Sequence, residues 1–588
     1  MKQTLNDIHQ QFAEFFPGKV LAPFVYLLSK KLSEGHICLN IDLLADELEG
    51  LPVNYQKIIE NDREKLVYEQ LVTDENGLQP FILHNRRLYF ERYFAYETKI
   101  LNGILTLIKN GEPLIADRCT TLLANCELIN DLFKGNFSQD EIDWQMAGVL
   151  LGVINNFTII TGGPGTGKTT TLAKLLAVLY TIEPNIRVAL AAPTGKAAMR
   201  MAESLQSARI DAPESVVNRI KALEPVTLHR LLKSVPNSTQ FRHNGENPLA
   251  EDVIVIDEAS MVDVALFAKL MEAVGPHTRL IFLGDKNQLA SVEAGSMLGD
   301  LCQFEPIINT VPQETAIVLN AVLKLPAAKQ LHPLAGHIIE LKKSHRFSDT
   351  SEIGNLSRAI LAGQIEAIKP GSDVTIDHNF NDHLLAAFFA GFETYINEGD
   401  ITQALQKLNS QRILCAVWDG EQGVTHLNTL VEEYLKSKKL IRITSDFYEN
   451  RPIMVSRNYY DLGLFNGDTG IIRPDENGNL KAWFSDGKGG VRDVLPHYIS
   501  EVQTVFAMTI HKSQGSEYDR VLILLPEKGG ERLLTRELLY TAVTRAKNSV
   551  TIQASHEVMR TAVITSVQRA SGIFERFIQS SSTNLNLQ

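Results

Sequence analysis

The run Gly162-Gly163-Pro164-Gly165-Thr166-Gly167-Lys168-Thr169 constrains this chain more than any other stretch of it. It follows a short apolar run at 157–161 and precedes the helical sequence TTTLAKLLAVLY. A glycine-rich turn between a buried strand and a helix lets backbone N–H groups curl around phosphate oxygens, and the helix N-terminus adds positive potential. In such a loop Lys168 reaches the β and γ phosphates, and the Thr169 hydroxyl holds Mg2+. Thr170 completes the nucleotide-facing set.

The runs that follow fit an α/β frame. Residues 157–161, Val188–Ala192, Val253–Ile256 and 280–283 are each too short for a typical helix and end at Gly, Pro or Asp. They predict buried parallel strands alternating with helices, a doubly wound unit. A second set, at 413–417, Pro452–Val455, 505–510, 521–525 and 550–553, predicts a second unit. Between Phe447 and Glu501 the phrases FNGDTG, PDENGN and SDGKGG are spaced like hairpin turns, which predicts a small all-β insert. The first 110 or so residues predict helices with short extended pieces. Two α/β units imply a cleft between two lobes.

Several polar residues point into such a cleft. Asp257 and Glu258 end the strand sequence VIVI, so both carboxylates sit at its C-terminal edge. There Asp257 would bind Mg2+ and Glu258 would polarise the attacking water. A strand ending in Asp-Glu is by itself often a solvated turn; the upstream phosphate loop decides otherwise. Gln288, in GDKNQ, is placed to sense the γ-phosphate. Gln145, a short helix before the loop, can pair with an adenine edge through one donor and one acceptor. Arg346 and Arg545 are candidates to cross the cleft, since guanidinium groups suit bidentate phosphate contact.

Bulk properties exclude a few classes. The formal net charge of −12 is wrong for a protein that coats nucleic acid by charge alone, though a local groove stays possible. The five cysteines are scattered and form no CxxC, which argues against a disulfide framework and a zinc or iron–sulfur site. No apolar run is long enough to span a bilayer, and the N-terminus has no signal-peptide core, so a cytoplasmic location is expected.

The order of segments then becomes recognisable. GGPGTGKTT, APTGKAA, TLHRLL, VIDEASMVD, GDKNQLASV, KSHRF, TIHKSQGSEY and YTAVTRAK resemble superfamily 1 helicases, and the wording of APTGKAA and HKSQGSEY is closest to the RecD branch, superfamily 1B. The phrases GHICL at 35–39 and LYFERY at 88–93 are similar to the N-terminal domain of the family's RecBCD (exonuclease V) subunits. LGLFNGDTGII at 462–472 resembles the family's SH3-like insert.

The resemblance implies an α/β fold of two RecA-like P-loop lobes, a helical N-terminal domain and an SH3-like β insert. The implied division is 1–115 for partner docking, 116–345 for the first lobe, 346–446 and 502–588 for the second, and 447–501 for the insert. It implies a 5′-to-3′ ATP- and Mg2+-dependent motor on single-stranded and duplex-end DNA. RecB-like and RecC-like subunits would complete a heterotrimer, with the N-terminal domain docked on the RecC-like chain. It implies that Pro193, Thr194, Thr227 and His229 line the DNA groove of the first lobe, and Thr509, His511 and Lys512 that of the second. Ser513, Gln514 and Gly515 would couple groove to nucleotide, with Glu517 touching the nucleotide. Few residues follow Lys547, so the nuclease site is expected on a partner. A stand-alone RecD-like helicase and a nucleotide-switched regulatory subunit that does not translocate are the competing readings.

Overall fold

The computed structural model describes residues 7–49, 51–74, 79–134, 141–329, 332–348, 350–487, 489–567 and 569–585. In the N-terminal region, helices pack on a four-stranded sheet ordered Cys38–Asn40, Arg87–Phe90, Phe81–His84, Val72–Thr73. The helix Glu91–Gly111 then leads away from it. Ile100, Ile104 and Leu107 recur at three- and four-residue spacing and are buried against the first lobe. Gly103 lets this helix approach Met271 of the helix Val264–Ala273 closely.

Six parallel strands form the first lobe, ordered Ile338–Leu341, Phe157–Gly162, Arg279–Gly284, Val253–Ile256, Val188–Ala192, Val226–Thr227. Phe157–Gly162, Arg279–Gly284 and Val253–Ile256 are buried at every residue, as apolar runs covered on both faces by helices must be. The phosphate-loop strand lies second from the edge. The edge strand Ile338–Leu341 is a finding the short run IIEL did not announce.

One buried side chain holds that edge to the loop strand. His337 donates from Nδ1 to the Phe157 carbonyl at 2.7 Å, and the Ile159 N–H returns a bond to the His337 carbonyl at 2.7 Å. Burial pushes the His337 imidazole down from 6.5 to about 4. The unfolded chain therefore takes the proton first as pH falls. The stability contribution is complete above the unfolded value and is lost between pH 6.5 and about 4, amounting to about 3 kcal/mol. His337→Asn keeps a donor but does not titrate. Urea unfolding across that window should show the wild type losing more stability than the variant, and parallel curves would refute the assignment.

The second lobe is also a parallel sheet, ordered Val374–Asp377, Ala546–Gln553, Tyr518–Leu524, Gln411–Cys415, Ala507–Thr509. Pro452–Val455 is not among its strands, contrary to the sequence expectation. It lies inside an antiparallel sheet ordered Val491–Val494, Leu480–Ser485, Thr469–Pro474, Pro452–Val455, Val502–Thr504. All four residues of Pro452–Val455 are buried, and a short apolar run reads alike in either kind of sheet. The all-β insert is thus present, and its last strand, Val502–Thr504, lies wholly beyond residue 501. PDENGN forms a hairpin turn; SDGKGG includes residue 488, which lies outside the described residues.

The end of the chain does not stay with the second lobe. Residues from Arg569 onward cross back to the first lobe and the N-terminal region. The fully buried Glu97 accepts from Ser571 Oγ at 2.8 Å and the Gly572 N–H at 2.9 Å, and pairs with Arg576 at 3.2 Å. Arg569 caps the carbonyls of Ser291, Glu293 and Gly295. All five cysteines are free thiols, and no described helix is long and apolar enough to cross a membrane.

Candidate active site

The loop strand ends at Gly162, and the helix Lys168–Ile182 begins directly after Gly167. Gly165 and Gly167 have φ of +75° and +86°, in the left-handed region that favours glycine. A Cβ would also collide with Arg346 at the first and with the Gln145 amide at the second. Lys168 Nζ donates to the Gly162 carbonyl at 2.6 Å and to that of Gly163 at 3.3 Å. Thr166 Oγ1 donates to the Gly163 carbonyl at 2.8 Å, which closes the turn. Gln145 is buried and donates from Nε2 to the Thr166 carbonyl at 3.0 Å. Its amide also lies 3.3 Å from His345 Nε2, and the His345 N–H donates to the Gly165 carbonyl at 2.8 Å. The loop is therefore held from outside by Gln145 and by the segment after the edge strand.

A cavity of about 610 Å3 opens in front of it. Gln145, Pro164, Gly165, Gly167, Lys168, Thr169, Thr170, Asp257, Glu258, Gln288, Arg346, Gly515, Glu517 and Arg545 all line it, although they come from both lobes. Gly162, Gly163 and Thr166 shape the loop without lining the cavity. Asp257 Oδ1 accepts from the Glu258 N–H at 2.8 Å. Burial, with the Glu258 charge, pushes the Asp257 carboxyl above its usual value, against opposing pulls from the Glu258 N–H and Lys168. Glu258 has φ +51°, a left-handed conformation uncommon outside glycine that points its carboxylate into the cleft.

Arg346 forms an ion pair with Glu517, which also lies 4.0 Å from Arg200 and 3.8 Å from Lys547. Burial raises the Glu517 carboxyl and these cations, Arg346 foremost, outweigh it, so its pKa ends below the usual value. Arg545 is buried, donating to the carbonyls of Thr541 at 3.0 Å and Ser516 at 3.1 Å. Burial pulls its pKa down, and Glu258 opposes that pull. Arg346 Nη1 and Gln288 Oε1 are buried with no hydrogen-bond partner among the described residues. Both residues line the cavity, and buried polar atoms without partners in such a lining mark a polar ligand site. Arg200 and His345 in this lining were not expected from the sequence. His345 adjoins Arg346 in KSHRF, whereas no spacing signal marks Arg200.

Buried hydrogen bonds tie the GDKNQ segment to the second lobe. Tyr540 donates to Asp285 Oδ2 at 3.0 Å, and Gln288 Nε2 donates to the same oxygen at 3.2 Å. The Leu289 N–H donates to Thr541 Oγ1 at 2.9 Å, and Gln514 Nε2 donates to the Leu289 carbonyl at 2.8 Å. Ser513 donates to the Ile510 carbonyl at 2.7 Å, fixing the turn that carries Gln514.

The remaining expected residues end strands or follow them closely and do not line the cavity. Thr194, Thr227 and Thr509 share one geometry: each Oγ1 accepts from the N–H three residues on, at 3.2, 3.3 and 3.3 Å. That bond uses an acceptor site and leaves the hydroxyl proton free to donate. Pro193 is half-buried; His229 is exposed and packs beside Phe241. Burial, chiefly, and Arg569 lower the His511 pKa, and Lys512 donates to Gln503 Oε1 of the insert at 3.2 Å.

Comparison with known proteins agrees with this architecture. Residues 1–89 match the model of the RecBCD enzyme subunit RecD N-terminal domain, 145–294 that of an AAA domain, and 504–552 that of a UvrD-like helicase C-terminal domain. The RecBCD enzyme subunit RecD of Mycobacterium tuberculosis is 38% identical over 84% of this chain and 81% of its own length. That of Haemophilus influenzae is 33% identical over 97% of this chain and 94% of its own. The ATP-dependent RecD2 DNA helicase of Deinococcus radiodurans is 29% identical over 67% of this chain but 46% of its own length. With identity at these levels spanning the N-terminal region and both lobes, the chain belongs to the family of RecBCD enzyme RecD subunits.

Proposed function

We propose that this chain is an ATP-dependent translocase that moves 5′ to 3′ along single-stranded DNA, as the motor subunit of a RecBCD-type helicase–nuclease in the cytoplasm. The observation that carries the reading is the cleft: a phosphate loop and an acid pair on one side, and Glu517 and Arg545 of the second lobe on the other. ATP lies against the loop with its adenine edge at Gln145. Lys168 moves off the Gly162 and Gly163 carbonyls onto the β and γ phosphates. Oxygen donors from Thr169 and Asp257 suit Mg2+, which when bound screens the phosphate charge. Glu258 polarises the attacking water and Gln288 Oε1 orients it. Arg346 exchanges Glu517 for the γ-phosphate, and Arg545 meets the charge that develops there. Loss of that charge releases the lobes.

The strand lies on Thr194, Thr227 and Thr509, whose hydroxyl protons donate to phosphates and read no bases. Pro193, His229, His511 and Lys512 border it. The bonds from Leu289 to Thr541 and Gln514 pass lobe closure to this groove. The test is unwinding. The chain should open a 5′-tailed but not a 3′-tailed duplex with ATP turnover stimulated by single-stranded DNA. ATP turnover without unwinding would favour the regulatory reading instead.

RecB-like and RecC-like partners complete the enzyme, and DNA cleavage belongs to a partner. Metal-dependent cleavage by the purified chain alone would overturn that placement. The N-terminal region supports docking: Phe15 and Tyr68 are 82% and 84% exposed, and Ile8, Leu43, Val53 and Val67 are exposed too. These side chains leave apolar surface on this domain open to a partner. Phe15→Asp with Tyr68→Asp should weaken co-purification with the partners at least tenfold and leave ATP turnover by the free chain unchanged. Undiminished assembly would remove this surface from the interface.

A further inference from the structure

The indole of Trp418 is 39% exposed, yet its backbone is firmly placed. Its carbonyl accepts from the Thr425 N–H at 3.1 Å, and the Val424 N–H donates to the Val417 carbonyl at 3.2 Å, just as the helix Val424–Ser437 begins. The loop between is closed by the Gly423 N–H on the Gly420 carbonyl at 2.9 Å, with Gly420 at φ +97°. A large aromatic ring left partly exposed on a tightly closed loop is available to a ligand.

Register supplies one. The strands Gln411–Cys415 and Ala507–Thr509 run parallel, with Cys415 opposite Thr509. Trp418 and Lys512 each lie three residues beyond those partners, so both emerge at the same edge of the sheet. Lys512 Nζ stands 5.7 Å from the centre of the Trp418 ring. A partly exposed aromatic ring with a cation at 5.7 Å from its centre and a capped threonine hydroxyl at the same sheet edge match the needs of one nucleotide: a surface for the base and counter-charge for its phosphate. The threonines contact only phosphate and cannot supply the first of these.

We propose that Trp418 is a base-stacking platform in the single-strand groove, with Lys512 neutralising the phosphate beside the stacked base. The proposal rests on the reading of Thr509, His511 and Lys512 as the DNA groove and adds base-dependent grip to it. Stacking on any base gives affinity without sequence preference, which suits a motor that must pass every sequence.

The test pairs two ligands with three proteins. Labelled oligodeoxythymidylate and an equally long strand of abasic residues are titrated by anisotropy against the full-length wild type, Trp418→Ala and Trp418→Phe. Trp418→Ala should weaken thymidylate binding about tenfold, a stack near the weak end of the known range, and Trp418→Phe by less. On the abasic strand the three proteins should bind alike. Equal losses on both strands for Trp418→Ala and Trp418→Phe, or no loss on thymidylate, would overturn the stacking role while leaving the groove in place. Failure of the wild type to bind either strand would overturn the groove reading as well. A second measurement keeps Trp418 itself in place. With Trp144→Phe and Trp483→Phe, Trp418 is the sole tryptophan of the three in the chain. Its fluorescence should be quenched by thymidylate and not by the abasic strand, and equal responses to both would refute the proposal.

Discussion

Replacing Lys168 by Gln is expected to abolish ATP turnover while the chain still folds. Lys168 is the cation at the floor of a cavity that also holds Asp257 and Glu258, with Asp285 close enough to feel its charge. A triphosphate brought there meets the carboxylates of Asp257 and Glu258, and without Lys168 it loses the cation that offsets them beside the loop. Loss of one preorganised charge at a transition state costs about 10²–10³ in rate, and a full positive charge facing a transferring phosphoryl group belongs at the upper end or beyond. The fold should survive, because Lys168 is only half-buried and its two bonds are to loop carbonyls that water can reach. The check is steady-state ATP turnover with saturating single-stranded DNA beside a thermal melt. Turnover within tenfold of wild type, or a collapsed melt, would contradict the assignment.

Arg346→Ala is the second large effect. The side chain enters the cleft from just after the first-lobe edge strand, pairs with Glu517, and keeps one buried Nη1 without a partner among the described residues. A guanidinium placed on transition-state charge is worth about 10³–10⁵ in kcat for nucleotide hydrolysis. The expected result is a fall in kcat of about 10³ with KM for ATP changed far less, because the Glu517 pairing occupies this arginine before closure. Arg346→Lys should recover little, since an ammonium lacks the planar fork. A variant that lost only affinity would show instead that Arg346 binds the ground state. Removal also leaves Glu517 with the weaker contacts of Arg200 and Lys547, at 4.0 and 3.8 Å. Arg346→Ala with Glu517→Gln should therefore bind ATP no worse than Arg346→Ala alone.

Much of the fold was legible because its signals are local. The runs Val188–Ala192 and Val253–Ile256 are strands at the positions the sequence indicates, and the insert phrase PDENGN lies where an antiparallel sheet turns. Pro452–Val455 was misplaced because burial on both faces erases the alternation that tells one sheet type from another. Ile338–Leu341 and Val374–Asp377 escaped notice because edge strands of four residues carry almost no periodic signal. The cavity residues divide in the same way. Gln145, Asp257, Glu258, Gln288, Arg346 and Arg545 were indicated by motif spacing, while Arg200 lies on a helix whose sequence gives it no special mark.

By itself the sequence determined the phosphate loop. Glycines at 165 and 167 permit left-handed backbone, and a strand before and a helix after aim its N–H groups outward, all within a few residues of chain. Only the tertiary structure decided what that loop faces. Glu517, Tyr540 and Arg545 reach it from the second lobe, Asp285 receives Tyr540 across the interface, and the segment from Arg569 to Arg576 crosses back to bury Glu97. These contacts join residues hundreds of positions apart. Their partners are chosen by the packing of two sheets and a returning chain end, for which residue spacing holds no signal.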